Sequence, residues 1–335
     1  MYVSCLWKQL SNLVFLLYRF LDYDTIDGVK NMHACVCRPG VVMSFLSYLI
    51  KGISLGSVYS IIALGYTMVY GIAKMLNFAH GDIIMIGGYV IFITMSTVGL
   101  SPWIAVLCSV IICTILGVAI ERIAYKPLRR APSLAVLITA IGVSYFLQNA
   151  ALLIFGADTK SFSSVITVPA LKLAGGRLTI SGATLVTVPV CIIIMIGLTS
   201  FVNKSKTGHA MLAVSEDKDA AVLMGVNVNK TIAITFAIGS ALAAIASALM
   251  FSSYPSLTAT SGAMPGIKAF VAAVLGGIGS IPGALIGGIL LGIVQILSTA
   301  YISSQLADAI VFSILIIALL VKPTGILGKK MNEKV

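Results

Sequence analysis

Runs of about 18 or more apolar residues recur along this chain, separated by short gaps that hold most of its charge. Such a run spans roughly 30 Å of hydrocarbon as a helix. A large soluble core does not explain so many of them, because only 10% of the 335 residues are charged against roughly 25% in a soluble domain. The chain therefore reads as an all-α, polytopic transmembrane bundle of about eight spans.

The spans fall at about 44–70, 83–98, 102–120, 133–155, 179–202, 231–253, 283–301 and 305–321. Gly52 and Gly56, four apart, form a small-residue packing face on the first. The gap 156–178 has the Thr, Ser and Val content and the Gly175-Gly176 pair of a small extended loop or hairpin. Region 266–282 is broken by Gly276, Gly277 and Gly279, so a short or interrupted helix is expected there. That stretch lacks the Lys-Ser/Thr that closes a nucleotide loop.

Residues 1–42 depart from the pattern. Leu10 to Leu21 is apolar but short and carries Arg19, and Asp22, Asp24 and Asp27 follow. The segment is read as an atypical extension, either an extra N-terminal helix or a stretch upstream of a functional start at Met43. Domain organisation is then 1–42, a membrane domain 43–328 that includes the charged loop 203–230, and a basic tail 329–335.

The net charge of +11 does not point to nucleic acid, because the basic residues sit between apolar runs. Grouping alternate gaps puts 13 Lys and Arg in 71–78, 121–132, 203–230 and 322–335, and three in the opposite set. By the positive-inside bias the first group is cytoplasmic, provided that 266–281 crosses the membrane or its equivalent. Cys108, Cys113 and Cys191 lie in apolar runs as small hydrophobes. Cys35, Cys37 and His33 are too few and too close for a zinc site, and no metal is expected. The chain lacks HExxH and any Cys/His cluster, so it is not read as an enzyme.

Two stretches carry candidate function. In GHAMLAVSEDKDAAVLMG, 208–225, charge interrupts the apolar pattern. A helix over 216–224 is expected, about 13 Å long at 1.5 Å per residue. Ser215 would cap it, Glu216 and Asp217 would complement its dipole, and Gly225 would end it. Ala220 and Ala221 leave room for a partner to approach. The plain alternative is a solvated loop helix. In Asn77-Phe-Ala-His80-Gly-Asp82, the polar groups either begin a helix at the interface, with Asn77 as its cap, or serve a pathway or hinge. His80 and Asp82, two apart, face different sides of a helix. Gly276, Gly277 and Gly279 share the pathway-or-hinge reading. Gln148, Asn149, Gln295 and Asp308 are expected to hydrogen-bond between helices.

Residues 52–90, with NFAHGD, resemble the opening of LivH-type permeases of bacterial branched-chain amino acid ABC importers. So do 208–228 and FVAAVLGGIGSIPGALIGGILLG, 270–292, and the resemblance covers about 44–328. It implies a bacterial inner-membrane subunit that passes leucine, isoleucine or valine. Its partners would be a second related permease, two cytoplasmic ATPases and an extracytoplasmic solute-binding protein. ATP would be used by the partners, and this chain would hold no cofactor. Glu216, Asp217, Ala220, Ala221 and Gly225 fall on that family's ATPase-coupling pattern. Relatives carry other amino acids, amides or urea, which is the alternative substrate reading. The rival outside the family is an ion-coupled secondary transporter, with Asp82 and Asp308 as the acids nearest its spans.

Overall fold

The computed structural model describes residues 39–328, apart from 130, 162, 174–177 and 323. The chain divides into two compact units, Met1–Leu46 and Ser47–Val335. Of the first, only the opening of a helix is described, so the expectations for Leu10–Leu21 and for His33, Cys35 and Cys37 lie outside the described residues, as does the tail 329–335.

The described helices are α1 (Pro39–Ala73), α2 (His80–Phe92), α3 (Pro102–Ile120), α4 (Ser133–Phe155), α5 (Gly182–Lys204), α6 (Lys206–Glu216), α7 (Lys218–Leu223), α8 (Val228–Ser253), α9 (Ala263–Gly276), α10 (Ile281–Tyr301) and α11 (Ala307–Val321). A π-helical turn, Ile93–Thr97, prolongs α2. Another, Glu121–Tyr125, and a 3-10 turn, Lys126–Leu128, prolong α3. Seven of these segments are long and apolar enough to cross a membrane, and α9 and α11 are shorter apolar helices. Two small antiparallel pairs complete the fold: β1 (Lys160–Ser161) with β4 (Ser256–Leu257), and β2 (Leu171–Leu173) with β3 (Leu178–Ile180). The second is the hairpin expected in the 156–178 gap, displaced toward α5.

Burial sorts the helices. In α1, 89% of the most apolar stretch is buried, against 17% in α4 and 22% in α5. An apolar helix that hides little of itself from its neighbours needs an apolar surrounding, which hydrocarbon supplies. The centre is held by backbone proximity. A Cβ on Gly56 would stand 2.6 Å from the Cα of Ile289, and one on Gly52 2.8 Å from that of Ile293. The glycine face of α1 therefore seats α10, and Ser60 Oγ donates across the seam to Leu285 O at 2.9 Å.

Two segments begin inside the bundle rather than at its edge. After α1 ends, the chain turns at Lys74, whose φ of 56° is left-handed, and folds back so that His80 lies beside Gly65. Gly65 is eight residues before Ala73, about 12 Å along the helix. From the other end, 254–262 runs back along α2, with Leu257 against Gly88 and Gly262 against Gly81. Helices α2 and α9 thus start side by side and run apart. Side chains cannot fit between them: a Cβ on Gly81 would stand 2.5 Å from the carbonyl oxygen of Gly262. This is how irregular backbone is tolerated at membrane depth, enclosed by protein.

The expectation that Asn77 caps a helix at the interface is corrected here. Ala79 stands at the N-cap of α2 with no side-chain cap bond. Asn77 is buried, and its Oδ1 accepts from Tyr125 Oη at 2.9 Å.

Candidate functional site

The charged stretch is two helices, not the single helix 216–224. Glu216 ends α6 and Lys218 begins α7, with Asp217 extended between them at φ −153° and ψ 117°. Asp217 caps the second: its Oδ1 accepts from Asp219 N at 2.9 Å and Ala220 N at 3.0 Å. An aspartate three residues before a pair of small helix formers can satisfy the first free amides there, and that competes with continuing α6. Ser215 is not a cap. Its hydroxyl donates within α6 to Leu212 O at 2.7 Å.

The other end of α7 closes as expected. Gly225 has φ +81°, Gly225 N donates to Val222 O at 3.0 Å and Val226 N to Ala221 O at 2.9 Å. This pair of bonds uses up the last carbonyls of a helix and requires the left-handed glycine. The two alanines separate: Ala221 is buried, whereas Ala220 is exposed. Beside Ala220, Leu223 is 88% and Met224 83% exposed. So α7 presents a small residue and two large apolar side chains outward, on a scaffold fixed at both ends.

Lys218 ties this scaffold to the bundle. Its Nζ donates to Ala73 O, at the C-terminal end of α1, at 3.0 Å. A cation there satisfies a carbonyl that no helical amide reaches and sits at the negative end of the dipole. Burial, with Arg129 and Lys74 nearby, holds the Lys218 ammonium below the ordinary lysine range.

The same end of the bundle holds the glycine turn. Gly277 (φ +104°) and Gly279 (φ +93°) take conformations that suit glycine, and the turn 277–280 reverses the chain between α9 and α10. Gly276 approaches the backbone of Gly283, and Gly71 of α1 lies against Gly279. The segment after α11 closes over this turn: Ile326 N donates to Leu275 O and Leu327 N to Gly276 O, both at 2.9 Å. The end of α1, the charged loop and the glycine turn therefore meet.

His80 and Asp82 point apart. His80 packs edge-on to Tyr66, ring centroids 4.7 Å apart, in a gap left by Gly65 and Gly239. Asp82 Oδ1 accepts from Gln148 Nε2 of α4 at 2.9 Å. Gln295 likewise bonds between helices, accepting from Tyr59 Oη at 2.9 Å. Asn149 does not: it donates within its own helix to Tyr145 O at 2.8 Å.

Three connections were not read from the pattern. Lys218 was one charge in a charged loop. Lys268, buried in α9, pairs with Asp308 of α11 at 2.7 Å; a lone cation in an apolar run is the signal that could have found it. Glu121, also buried, pairs with Arg129, which in turn donates to Asn229 Oδ1. No group of three or more His, Cys, Asp or Glu among the described residues could hold a metal ion.

The family described as "Branched-chain amino acid transport system / permease component" matches residues 48–320. The chain is 43% identical over 301 residues to the high-affinity branched-chain amino acid transport system permease protein LivH of Salmonella typhimurium, covering 87% of this chain and 98% of that one. It is 42% identical over 306 residues to the corresponding protein BraD of Pseudomonas aeruginosa, covering 88% and 99%. A solved structure of PsaBC from Streptococcus pneumoniae in complex with Fab aligns over 88% of this chain and 96% of its own, at 12% identity and a TM-score of 0.41.

Proposed function

The chain belongs to the family of permease components of branched-chain amino acid transport systems, a multi-pass transport component and not an enzyme, and from that membership we infer that it moves leucine, isoleucine and valine across the bacterial inner membrane as part of an ATP-driven importer. The basic end of the bundle faces the cytoplasm, by its excess of Lys and Arg. There α7 receives a partner ATPase, and Ala220, with the exposed Leu223 and Met224, forms the contact. Glu216 and Asp217 flank it, Ala221 and Gly225 hold its shape, and Lys218 hands its displacement to α1. ATP is bound by the partners, and this chain carries no cofactor. The complete importer contains a second related permease, two ATPases and an extracytoplasmic binding protein, and the solute crosses between the two permeases. The pathway-or-hinge role falls to Asn77, His80 and Asp82, where α2 and α9 begin, and to Gly276, Gly277 and Gly279, where the turn touches α1.

The observation that carries the coupling reading is the single connected route from an exposed, doubly capped helix through Lys218 to the end of the most buried span. Reconstitution of the chain with its partners in vesicles tests it. ATP-dependent uptake of labelled leucine, isoleucine and valine is expected, and Ala220→Arg should abolish it with the chain still inserted. Preferential uptake of another amino acid, an amide or urea would reassign the substrate. Uptake driven by an ion gradient without any ATPase would overturn the function.

A further inference from the structure

A cavity of about 570 Å³ opens between the extension of α3 and the first turns of α8. Its wall toward water holds Arg122, Lys126 and Lys230, with Asn227 and Asn229 beside them; all five are exposed. The rest of its lining, apart from Glu121, is apolar: Val118, Ala233, Ile234 and Ala237. From Lys230 to Ala237 is seven residues, about 10 Å along the helix axis. The groove is therefore graded along the membrane normal, cationic at the boundary and apolar deeper in.

The general excess of basic residues at this end of the bundle does not explain that arrangement. Lys204 and Lys206 are exposed at the same end and line none of it. Here cations from two helices converge on one cavity. Glu121 also lines it, but its charge is taken up by Arg129. No ion pair within the described residues engages Arg122, Lys126 or Lys230. The N-terminus of α8 adds its positive dipole end, with Asn227 Oδ1 accepting from Lys230 N at 3.0 Å.

We propose that this groove is a binding site for one anionic phospholipid, its phosphodiester held by Arg122, Lys126 and Lys230 and an acyl chain laid along Val118, Ile234 and Ala237. A free phosphate would use only the upper half, and a zwitterionic lipid would bring its own cation to a cationic wall. Basic pockets between transmembrane helices select anionic headgroups for this reason. The lipid would lie across the seam between α3 and α8, next to the Arg129–Asn229 bond that joins the same two segments. This inference does not depend on the solute carried.

Native mass spectrometry of the delipidated full chain in mild detergent tests it, with phosphatidylglycerol and phosphatidylcholine of identical acyl chains as probes. Preferential retention of one phosphatidylglycerol is expected. Lys126→Gln with Lys230→Gln should weaken the preference by about tenfold or more. Lys204→Gln with Lys206→Gln, which removes the same charge elsewhere, should leave it unchanged, and Lys126→Arg with Lys230→Arg should retain it. Equal retention by the groove variant and wild type overturns the proposal. So does displacement of the lipid by millimolar glycerophosphate, which would mark a free-anion site. Crosslinking of a photoreactive group at Lys126 to the ATPase, and not to lipid, in the assembled importer would also overturn it.

Discussion

Lys218 Nζ and the carbonyl oxygen of Ala73 are 3.0 Å apart, a contact across 145 positions of sequence. It connects a surface helix six residues long to a helix buried along most of its length. Lys218→Met keeps the apolar stem and removes the donor. In the reconstituted importer this variant should hydrolyse more ATP per solute moved, with docking of the ATPase retained. Lys218→Arg, which can still donate, should restore much of the ratio. A purely structural role would lower both activities together and leave the ratio alone.

The same residue sets a pH dependence. Burial lowers its pKa in the folded protein below that of the unfolded chain. The folded state thus binds fewer protons than the unfolded state between those two values, and stability contributed by this group rises with pH across that window. Thermal unfolding of wild type and Lys218→Met, compared from neutral pH to about pH 10.5, the ordinary lysine value, should show wild type gaining on the variant. A difference independent of pH would mean that Lys218 is not desolvated.

Neighbouring alanines should behave differently. Ala220 is exposed and Ala221 buried, so a large side chain at 220 stands clear of this protein's own packing, whereas one at 221 meets it. Ala220→Arg should leave the unfolding temperature of the isolated chain near that of wild type and eliminate ATPase binding in a pull-down. Ala221→Leu should destabilise the chain by about 1–3 kcal/mol, the range for forcing methylenes into a packed site.

Helix positions were legible because apolar length is a one-dimensional property: α3 and α4 begin at Pro102 and Ser133, within a residue of where the apolar runs begin. What sequence hid is where the chain re-enters. NFAHGD reads equally well as an interfacial helix start or as part of an interior turn, since the same small and polar residues serve both. Only the approach of Gly81 to Gly262, 181 positions away, distinguishes them. The break at Asp217 was hidden for a related reason. Ser215 and Asp217 are both good cap types two residues apart, and the contact that accompanies the break at Asp217, Lys218 to Ala73, is long-range and has no local signature.

The meeting of α2 and α9 admits no side chain. A Cβ on Gly262 would press on the carbonyl of Gly81, backbone against backbone, with no flexible group able to yield. Gly262→Ala should lower stability by about 1–3 kcal/mol through overpacking, measured as loss of folded chain on heating in detergent. Gly142→Ala, where a Cβ meets nothing within 4 Å, is the control, and its effect should be small. If the two variants behave alike, the helix starts are not held as closely as described.

The Lys268–Asp308 pair is asymmetric, and so are its mutants. Side-chain exposure is 8% for Lys268 and 42% for Asp308. Removing Lys268 leaves a carboxylate that is much less buried, whereas removing Asp308 leaves a buried ammonium without a counter-charge in an apolar segment. An uncompensated buried charge costs about 3–5 kcal/mol, so Asp308→Ala should be clearly more destabilising than Lys268→Met. Combining the two should recover most of the loss, because the buried charge is then gone. A double-mutant cycle on thermal unfolding measures this, and additive effects would show that the two residues do not interact. The outcome also bears on the rival transport class. If the pair were an ion-coupling site, Lys268→Met with Asp308→Ala would abolish uptake in a stable protein. As a structural clasp between α9 and α11, it should leave ATP-driven uptake in place.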